Sequence, residues 1–249
     1  MGFGHGIQRM LGGRGNPWAA CGDGALIAPS LLACDLARAG QHIDQVIAAG
    51  ADVLHVDIMD GHFVPNLSMG PGFVKSIRQY TDCVLDVHIM VTDPAYYIER
   101  FAEAGADSIT FHIEAAGDAG RLVERLRELH LGAGVTLRPG TAAEDLAPVI
   151  GQVDLVLAMT VEPGYGGQEF MPDMLRKIRT IRRMLRGDQR LQVDGGINSQ
   201  TAALCAAQGA DVFVAGESIF GSDDIAGSVT DLRRSITAAG GCQGGREER

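Results

Sequence analysis

The sequence is poor in features that carry several common chemistries. It holds two lysines, Lys75 and Lys177, and both fall in segments that read as helix. A Schiff-base aldolase or a pyridoxal phosphate enzyme needs a lysine amine at its reacting centre, so neither fits. No GxxxxGK loop occurs, which disfavours an ordinary ATP-dependent transferase. Ser30 has no nucleophile elbow around it. The cysteines, Cys21, Cys34, Cys83, Cys205 and Cys242, are scattered without a CxxC pair and read as reduced thiols rather than as a zinc ribbon or a disulfide framework. No apolar run is long enough to span a bilayer. Positive charge is short, and a net charge of −10 argues against affinity for nucleic acid or for an anionic membrane surface. The glycine-rich opening segment lacks the apolar stretch of a secretory signal, and Gly6 breaks the myristoylation pattern. The expectation is a single cytoplasmic domain over residues 25–239 between flexible tails at 1–24 and 240–249.

What is present is a chain of 249 residues, 46% hydrophobic, enough for one substantial core. A phrase recurs at Gly50-Ala51-Asp52, Gly105-Ala106-Asp107 and Gly209-Ala210-Asp211, with a looser copy at Gly151-Gln152-Val153-Asp154. Each copy follows an amphipathic segment and precedes a β-branched run, as where a helix ends on Gly and the chain enters a strand. The intervals of 55, 46 and 58 residues each match two βα units. Apolar runs then mark eight strands: Leu26–Leu31, Val53–Ile58, Val84–Ile89, Asp107–His112, Ala133–Leu137, Leu155–Met159, Leu191–Asp194 and Val212–Ala215. Helical periodicity lies between them, clearest in Pro94–Ala104, Ala119–Leu131, Pro172–Leu185 and Ser199–Gln208. Asp93-Pro94 predicts a capped helix start. Eight alternating units predict an α/β fold, a single-domain (β/α)8 TIM barrel, which gathers all its strand ends at one mouth. An open doubly wound sheet would not bring the ends of so many strands together.

Polar residues concentrate at those strand ends, where barrel active sites lie. Side chains alternate along a strand, so His55, Asp57 and Met59 share one face, as do Asp86, His88 and Met90. Strand 7 ends in Asp194-Gly195-Gly196. A lone histidine here would be a hydrogen-bonded core group and a lone aspartate a helix cap. Several converging carboxylates and imidazoles favour a four-ligand divalent metal site of His55, Asp57, His88 and Asp194. Asp86 lies deeper and reads as a supporting group behind the ligands; His62 and His112 read as structural or rim residues. Met59, Met90 and Met159 admit two readings, gap-filling core or a polarizable lining that keeps water from a reacting ligand. Gly164, Gly166 and Gly167 after strand 6, Gly195 and Gly196 after strand 7, and Gly216 after strand 8 predict a phosphate cradle made of backbone amides. Such a cradle and a bound cation would supply the local positive potential that an acidic chain otherwise lacks.

The stretches IAPSLLACD, HVDIMDGHFVPNLSMGP, LDVHIMV, FHIEA, MTVEPGYGGQEF, VDGGIN and VAGESIF resemble the ribulose-phosphate 3-epimerase family in order and spacing, over roughly residues 25 to 236. The resemblance implies an isomerase of the pentose phosphate pathway that interconverts D-ribulose 5-phosphate and D-xylulose 5-phosphate. It implies zinc at His55, Asp57, His88 and Asp194, with iron, manganese or cobalt as substitutes. Asp57 and Asp194 match the family's acid/base pair and Ser30 a substrate contact. Met59, Met90 and Met159 match the methionines around the reacting carbons, and the six glycines match the phosphate loops. A homo-oligomer is also implied. Glu217 stands where the family usually carries Ser or Thr, so either its carboxylate turns away from the phosphate while its N–H still contributes, or Ser218 compensates. A carboxylate facing the phosphate would repel it strongly in a low-dielectric site. Tyr165, where Phe is common, is a milder change. The DxKxxD of related barrel decarboxylases is missing, since Asp86-Val87-His88 occupies that place. Two alternatives share the pattern: a 3-epimerase for D-allulose 6-phosphate, and a non-catalytic sugar-phosphate-binding barrel.

Overall fold

In the computed structural model, which describes residues 16–22 and 24–240, strands and helices alternate as the repeat spacing predicts. The short helix α1 (Pro17–Ala20) leads into β1 (Leu26–Pro29), α2 (Ala39–Ala48), β2 (Val53–Met59), α3 (Pro71–Tyr80) and β3 (Val84–Met90). Then come α4 (Pro94–Ala104), β4 (Ser108–His112), α5 (Ala119–Glu128), β5 (Gly132–Leu137) and β6 (Leu155–Met159), with only a 3-10 turn at Ala143–Leu146 between β5 and β6. The chain continues through α6 (Met174–Met184), β7 (Arg190–Asp194), α7 (Ser199–Ala206), β8 (Val212–Ala215), α8 (Glu217–Phe220) and α9 (Ile225–Ala238).

All ladders are parallel, in the order β1-β8-β7-β6-β5-β4-β3-β2. The ring closes where Asp52 N–H donates to the Ile27 carbonyl at 3.0 Å and Ser30 bridges to His55. This is the (β/α)8 TIM barrel expected from sequence, in one domain.

The recurring Gly-Ala-Asp phrase has a mechanical role. Asp52, Asp107, Asp154 and Asp211 stand just before β2, β4, β6 and β8, and each accepts a backbone N–H near the start of the preceding strand. The donors are Ile27 at 2.8 Å, Leu85 at 2.9 Å, Ala133 at 2.9 Å and Leu191 at 2.8 Å. Each carboxylate also meets an arginine: Arg233 at 2.7 Å, Arg78 at 2.7 Å, Arg127 at 3.3 Å and Arg182 at 3.3 Å. At Gly105 and Gly209 a Cβ would collide with the stem of Arg78 and of Arg182. Both glycines also take left-handed backbone, φ +104° and +99°, as a helix C-terminus favours. At Gly105 and Gly209 the phrase thus ends a helix and admits an arginine stem, and at all four copies its aspartate holds an arginine head at the strand pair.

Boundaries shift where side chains compete with the ladder. β1 stops at Pro29 because the Ser30 side chain caps a 3-10 turn, Leu31–Ala33. Asp107 stays outside β4, its carboxylate taken by Leu85 and Arg78. α5 ends at Glu128, short of Leu131, since His130 turns to φ +58°. α6 begins at Met174 rather than Pro172 and α7 ends at Ala206 rather than Gln208. α4 keeps its expected span, with Asp93 accepting from Tyr96 N.

Between sheet and helices lies the main core, which includes Ile27, Leu54, Phe101, Phe111 and Phe213. Inside the barrel a second apolar cluster gathers Leu26, Ala28, Val53, Leu155, Leu157, Val212 and Val214 around Trp18. Residues 16–22, expected to belong to a flexible tail, therefore contribute to the interior: Trp18 is 1% exposed and its Nε1–H donates to Ser108 Oγ at 3.2 Å. Gly240, also expected in a tail, closes the turn after α9 with its N–H on the Thr237 carbonyl at 3.1 Å. The rest of the two expected tails, 1–15 and 241–249 together with residue 23, lies outside the described residues. Among the described residues no helix is long and apolar enough to cross a membrane.

Candidate active site

The inward positions of β2, β3, β4, β5 and β7 are polar although buried: His55, Asp57, Asp86, His88, Ser108, Thr110, His112, Thr136 and Gln192. Such groups are costly inside a barrel unless they serve one another or a ligand. Register explains who meets whom. His55 stands opposite Asp86, Asp57 opposite His88, and Met59 opposite Met90, while Asp194 closes β7 across the ring.

The four expected metal ligands do converge. One nitrogen or oxygen from each of His55, Asp57, His88 and Asp194 lies within 4.8 Å of the others, so these residues could hold a single ion. Asp57 Oδ1 lies 3.3 Å from His55 Nε2 and 3.1 Å from His88 Nδ1; Asp194 Oδ2 lies 4.0 Å from His88 Nδ1. His55 Nε2 is fully buried with no hydrogen-bond partner, a lone pair or N–H that the protein leaves unused. An ion between two imidazoles and two carboxylates answers that vacancy of partners, and the donor set suits a borderline divalent metal. Asp86 sits behind the group as expected, its Oδ2 bonded to His55 Nδ1 at 2.8 Å and accepting from Gln192 Nε2 at 2.8 Å.

The two ligand aspartates differ in proton affinity. Burial works to raise Asp57, but the adjacent His55 and His88 prevail and hold it well below the usual carboxylate range. Burial, followed by the negative charge of Asp57, pushes Asp194 up to about 7. His55 is drawn well above the ordinary imidazole value: burial opposes its charge, and Asp57 and Asp86 overcome burial. The pair is therefore split, with one carboxylate bare and the other ready to carry a proton near neutrality.

Above these groups opens a cavity of about 900 Å³, lined in part by Ser30, Asp57, Asp194 and the three methionines. Ser30 Oγ donates to Asp57 Oδ2 at 2.6 Å. His55 and His88 lie beneath this lining, both 0% exposed. Met59 and Met90 form a small cluster with Val64, apart from the main core, while Met159 joins the interior cluster around Trp18. All three are buried and all three line the cavity.

The far side of the cavity is bounded by Gly164, Gly166, Gly167, Gly195, Gly196 and Gly216. Gly195 and Gly196 are required by space as well as by conformation. Both have positive φ, +118° and +64°; a Cβ on Gly195 would strike the Val161 side chain, and one on Gly196 would lie 2.6 Å from Phe170 N. Glu217 opens α8, and its Oε1 lies beside Gly221 one turn along, 2.9 Å from where a Cβ would stand. The carboxylate thus folds back along its own helix. Ser218 offers no compensating hydroxyl, since its Oγ donates to the Ile197 carbonyl at 2.7 Å.

His62 is an exposed loop residue bonded to Asp60, as expected of a rim residue. His112 is not at the rim. It is 1% exposed and its Nε2 lies 3.0 Å from His88 Nε2. The strand register places it: β4 pairs Thr110 with His88, so His112, two residues on, faces inward one layer higher. Burial lowers His112 to about 4, with Glu114 opposing.

The profile of the Ribulose-phosphate 3 epimerase family matches residues 26–220. The chain is 44% identical to the cytoplasmic isoform of ribulose-phosphate 3-epimerase from Oryza sativa subsp. japonica over 216 residues, covering 85% of this chain and 94% of the relative. It is 42% identical to the ribulose-phosphate 3-epimerase of Bacillus subtilis over 213 residues, covering 84% and 98%. Among solved structures, 3-keto-L-gulonate-6-phosphate decarboxylase from Vibrio cholerae superposes with a TM-score of 0.67 at 19% identity, covering 86% of this chain and 98% of that one. At that identity the likeness speaks for the barrel alone.

Proposed function

The chain belongs to the ribulose-phosphate 3-epimerase family, and from that premise we propose that it interconverts D-ribulose 5-phosphate and D-xylulose 5-phosphate by passing protons through Asp57 and Asp194. The observation that carries this reading is geometric: the carboxylates of Asp57, on β2, and Asp194, on β7, reach one buried cluster from different strands. Inversion at a carbon beside a carbonyl needs one group to accept a proton from one face and another to return a proton to the opposite face. Asp57 on β2 and Asp194 on β7 come from well-separated strands and can flank a planar cis-enediolate. The roles exchange when the reaction runs in reverse.

His55, Asp57, His88 and Asp194 would hold one divalent ion, with zinc the metal their nitrogen and oxygen donors suit best. When bound, the ion supplies Lewis acidity that stabilises negative charge on the ketose oxygens. The rest falls to the protein. Ser30 orients Asp57 through its hydroxyl. Met59, Met90 and Met159 keep water from the reacting carbons, which preserves the intermediate and strengthens the electrostatics around it. The glycines after β6, β7 and β8 bring backbone close to the phosphate, and Glu217, which also borders the cavity, carries its carboxylate along its helix toward Gly221.

The direct test is to assay the purified, zinc-loaded protein on D-ribulose 5-phosphate and on D-allulose 6-phosphate. The expected kcat/KM is at least about tenfold higher for the five-carbon ketose, a margin that one fitted carbon and its hydroxyl can supply. Preference for the six-carbon substrate would reassign the substrate, and activity on neither would leave a binding barrel.

Proton and ion compete for Asp194. Below about pH 7 its carboxyl keeps a proton that metal binding must displace. Zinc must also displace the proton that Asp57 and Asp86 hold on His55, so zinc affinity, measured by chelator competition, should fall as pH is lowered through 7 by about tenfold per unit for each displaced proton. A slope in Asp194→Asn as steep as in the wild type would remove Asp194 from the ligands.

A further inference from the structure

His88 has both ring nitrogens engaged, and the two sides make different demands. Nδ1 faces Asp57 and Asp194, at 3.1 Å and 4.0 Å. Nε2 faces His112 Nε2 at 3.0 Å. Two nitrogens at that separation need one donor and one acceptor. Which is which is decided two residues further along β4. His112 Nδ1 lies 3.3 Å from Glu114 Oε2, while Glu114 Oε1 accepts from the Arg138 backbone N–H at 2.7 Å and from the Thr141 hydroxyl at 2.5 Å. A carboxylate occupied in this way only accepts, so the hydrogen between it and His112 belongs to His112 Nδ1. A neutral imidazole has one N–H, which leaves His112 Nε2 as a lone pair. His88 must then donate from Nε2, and a neutral His88 has its Nδ1 bare, available to an ion that replaces the 3.1 Å contact with Asp57.

We propose that Glu114 and His112 form a positioning chain that fixes His88 in the tautomer protonated on Nε2, presenting Nδ1 to the divalent ion. The chain rests on the metal site proposed above. It differs from the support of the other imidazole, since His55 Nδ1 reaches a carboxylate, Asp86, in one step. His88 reaches its carboxylate through a second histidine. The geometry around that histidine is fixed on both sides. The Phe63 ring packs on His112 with centroids 4.7 Å apart, and the Arg138 guanidinium lies 4.3 Å from the Phe63 centroid while donating to the Phe63 carbonyl at 2.8 Å. Lys177 Nζ donates to the carbonyls of Arg138 and Pro139 at 3.1 Å and 2.7 Å, which holds the loop carrying Arg138. The line of ligand, imidazole and carboxylate thus continues from the buried cluster to the barrel rim.

The test measures zinc itself. Zinc affinity of the full chain is determined by chelator competition for the wild type and for H112F, H112Q, E114Q and H88A. H112F keeps the ring volume and removes both nitrogens, and it should weaken zinc by about 10- to 100-fold, the range for groups that orient a ligand from behind. H112Q places an amide oxygen where Nε2 stood, so it should restore affinity to within about threefold of wild type. E114Q can donate to His112 Nδ1 and reverse the chain; it should weaken zinc in parallel with H112F, and it carries the test should H112F misfold. Nitrogen-15 NMR of the zinc-free protein should show His88 protonated on Nε2 in the wild type but not uniformly so in H112F, a readout that a merely structural His112 would not move. Wild-type affinity in both H112F and E114Q, or His88 protonated on Nδ1, would overturn the chain. H88A separates the two levels: if it loses zinc while H112F and E114Q do not, only the positioning chain fails. If H88A also binds zinc normally, the metal site fails and the chain with it.

Discussion

Asp57→Asn and Asp194→Asn should each lower kcat by about a thousandfold, within the range that a positioned acid or base contributes. An amide keeps the shape of the carboxylate and one oxygen for an ion, but it cannot take up or release the proton that inversion requires. Neither change should unfold the barrel. Ser30 Oγ can accept from the new amide at position 57, and Asp194 is the most exposed of the four ligand side chains at 17%. Loss of turnover alone would not separate proton transfer from ion binding, because both residues serve both purposes in this reading. Hydrogen exchange at C3 does separate them. With one carboxylate left, a variant can still remove and return a proton on a single face. Each variant should therefore wash solvent deuterium into one ketose without inverting it, and the two variants should choose opposite ketoses. If both exchanged the same epimer, or if either kept a rate near wild type with its zinc intact by elemental analysis, the two-carboxylate assignment would fail.

The parts of this site that could be read from sequence share one property: period-two alternation at the end of a strand. His55 with Asp57, and Asp86 with His88, declare their common face by spacing alone, and eight βα units bring such ends to one mouth. The glycine clusters were legible for a similar reason, since loops that follow consecutive barrel strands must be neighbours. His112 was left between a structural place and the rim, and it takes the structural one; the choice stayed open because a single polar residue closing a strand carries no local mark of which layer it fills. Its layer follows from the shear between β3 and β4, visible only in the pairing of His88 with Thr110. Glu217 was read as a choice between two arrangements, and the choice depends on whether a side chain runs along its helix or into the cavity, which composition does not encode. The Gly-Ala-Asp phrase gave the right count of units, while its work of pinning arginines to strand starts needed the three-dimensional arrangement.

Trp18 escaped the reading for a different reason, and its removal should have the larger effect on stability. A glycine-rich opening segment predicts little order, and one tryptophan in a helix of four residues has no periodicity to betray a buried face. Its burial is decided by the barrel instead. The N-terminal mouth leaves an apolar hollow ringed by Leu26, Val53, Leu155 and Val212, and Trp18 fills it at 1% exposure. The segment is fastened from the other side by Arg190, which donates to the carbonyls of Trp18, Gly22 and Gly24. Trp18→Ala should therefore cost about 3–5 kcal/mol in urea unfolding, as for other large-to-small changes in a packed interior. Trp18→Phe keeps much of the volume and loses the bond to Ser108, so it should cost about 1 kcal/mol from that bond plus a smaller packing loss. Because the sequence has one tryptophan, its emission reports this position alone. In the wild type the shift of that emission to longer wavelength should coincide with the loss of helical circular dichroism, since the plug and the strands around it share one cluster. The chemistry lies at the opposite mouth, so Trp18→Ala should leave kcat within about twofold at temperatures where the variant is folded. An emission change that precedes barrel unfolding, or an alanine variant as stable as the wild type, would show the segment to be a passenger on the barrel.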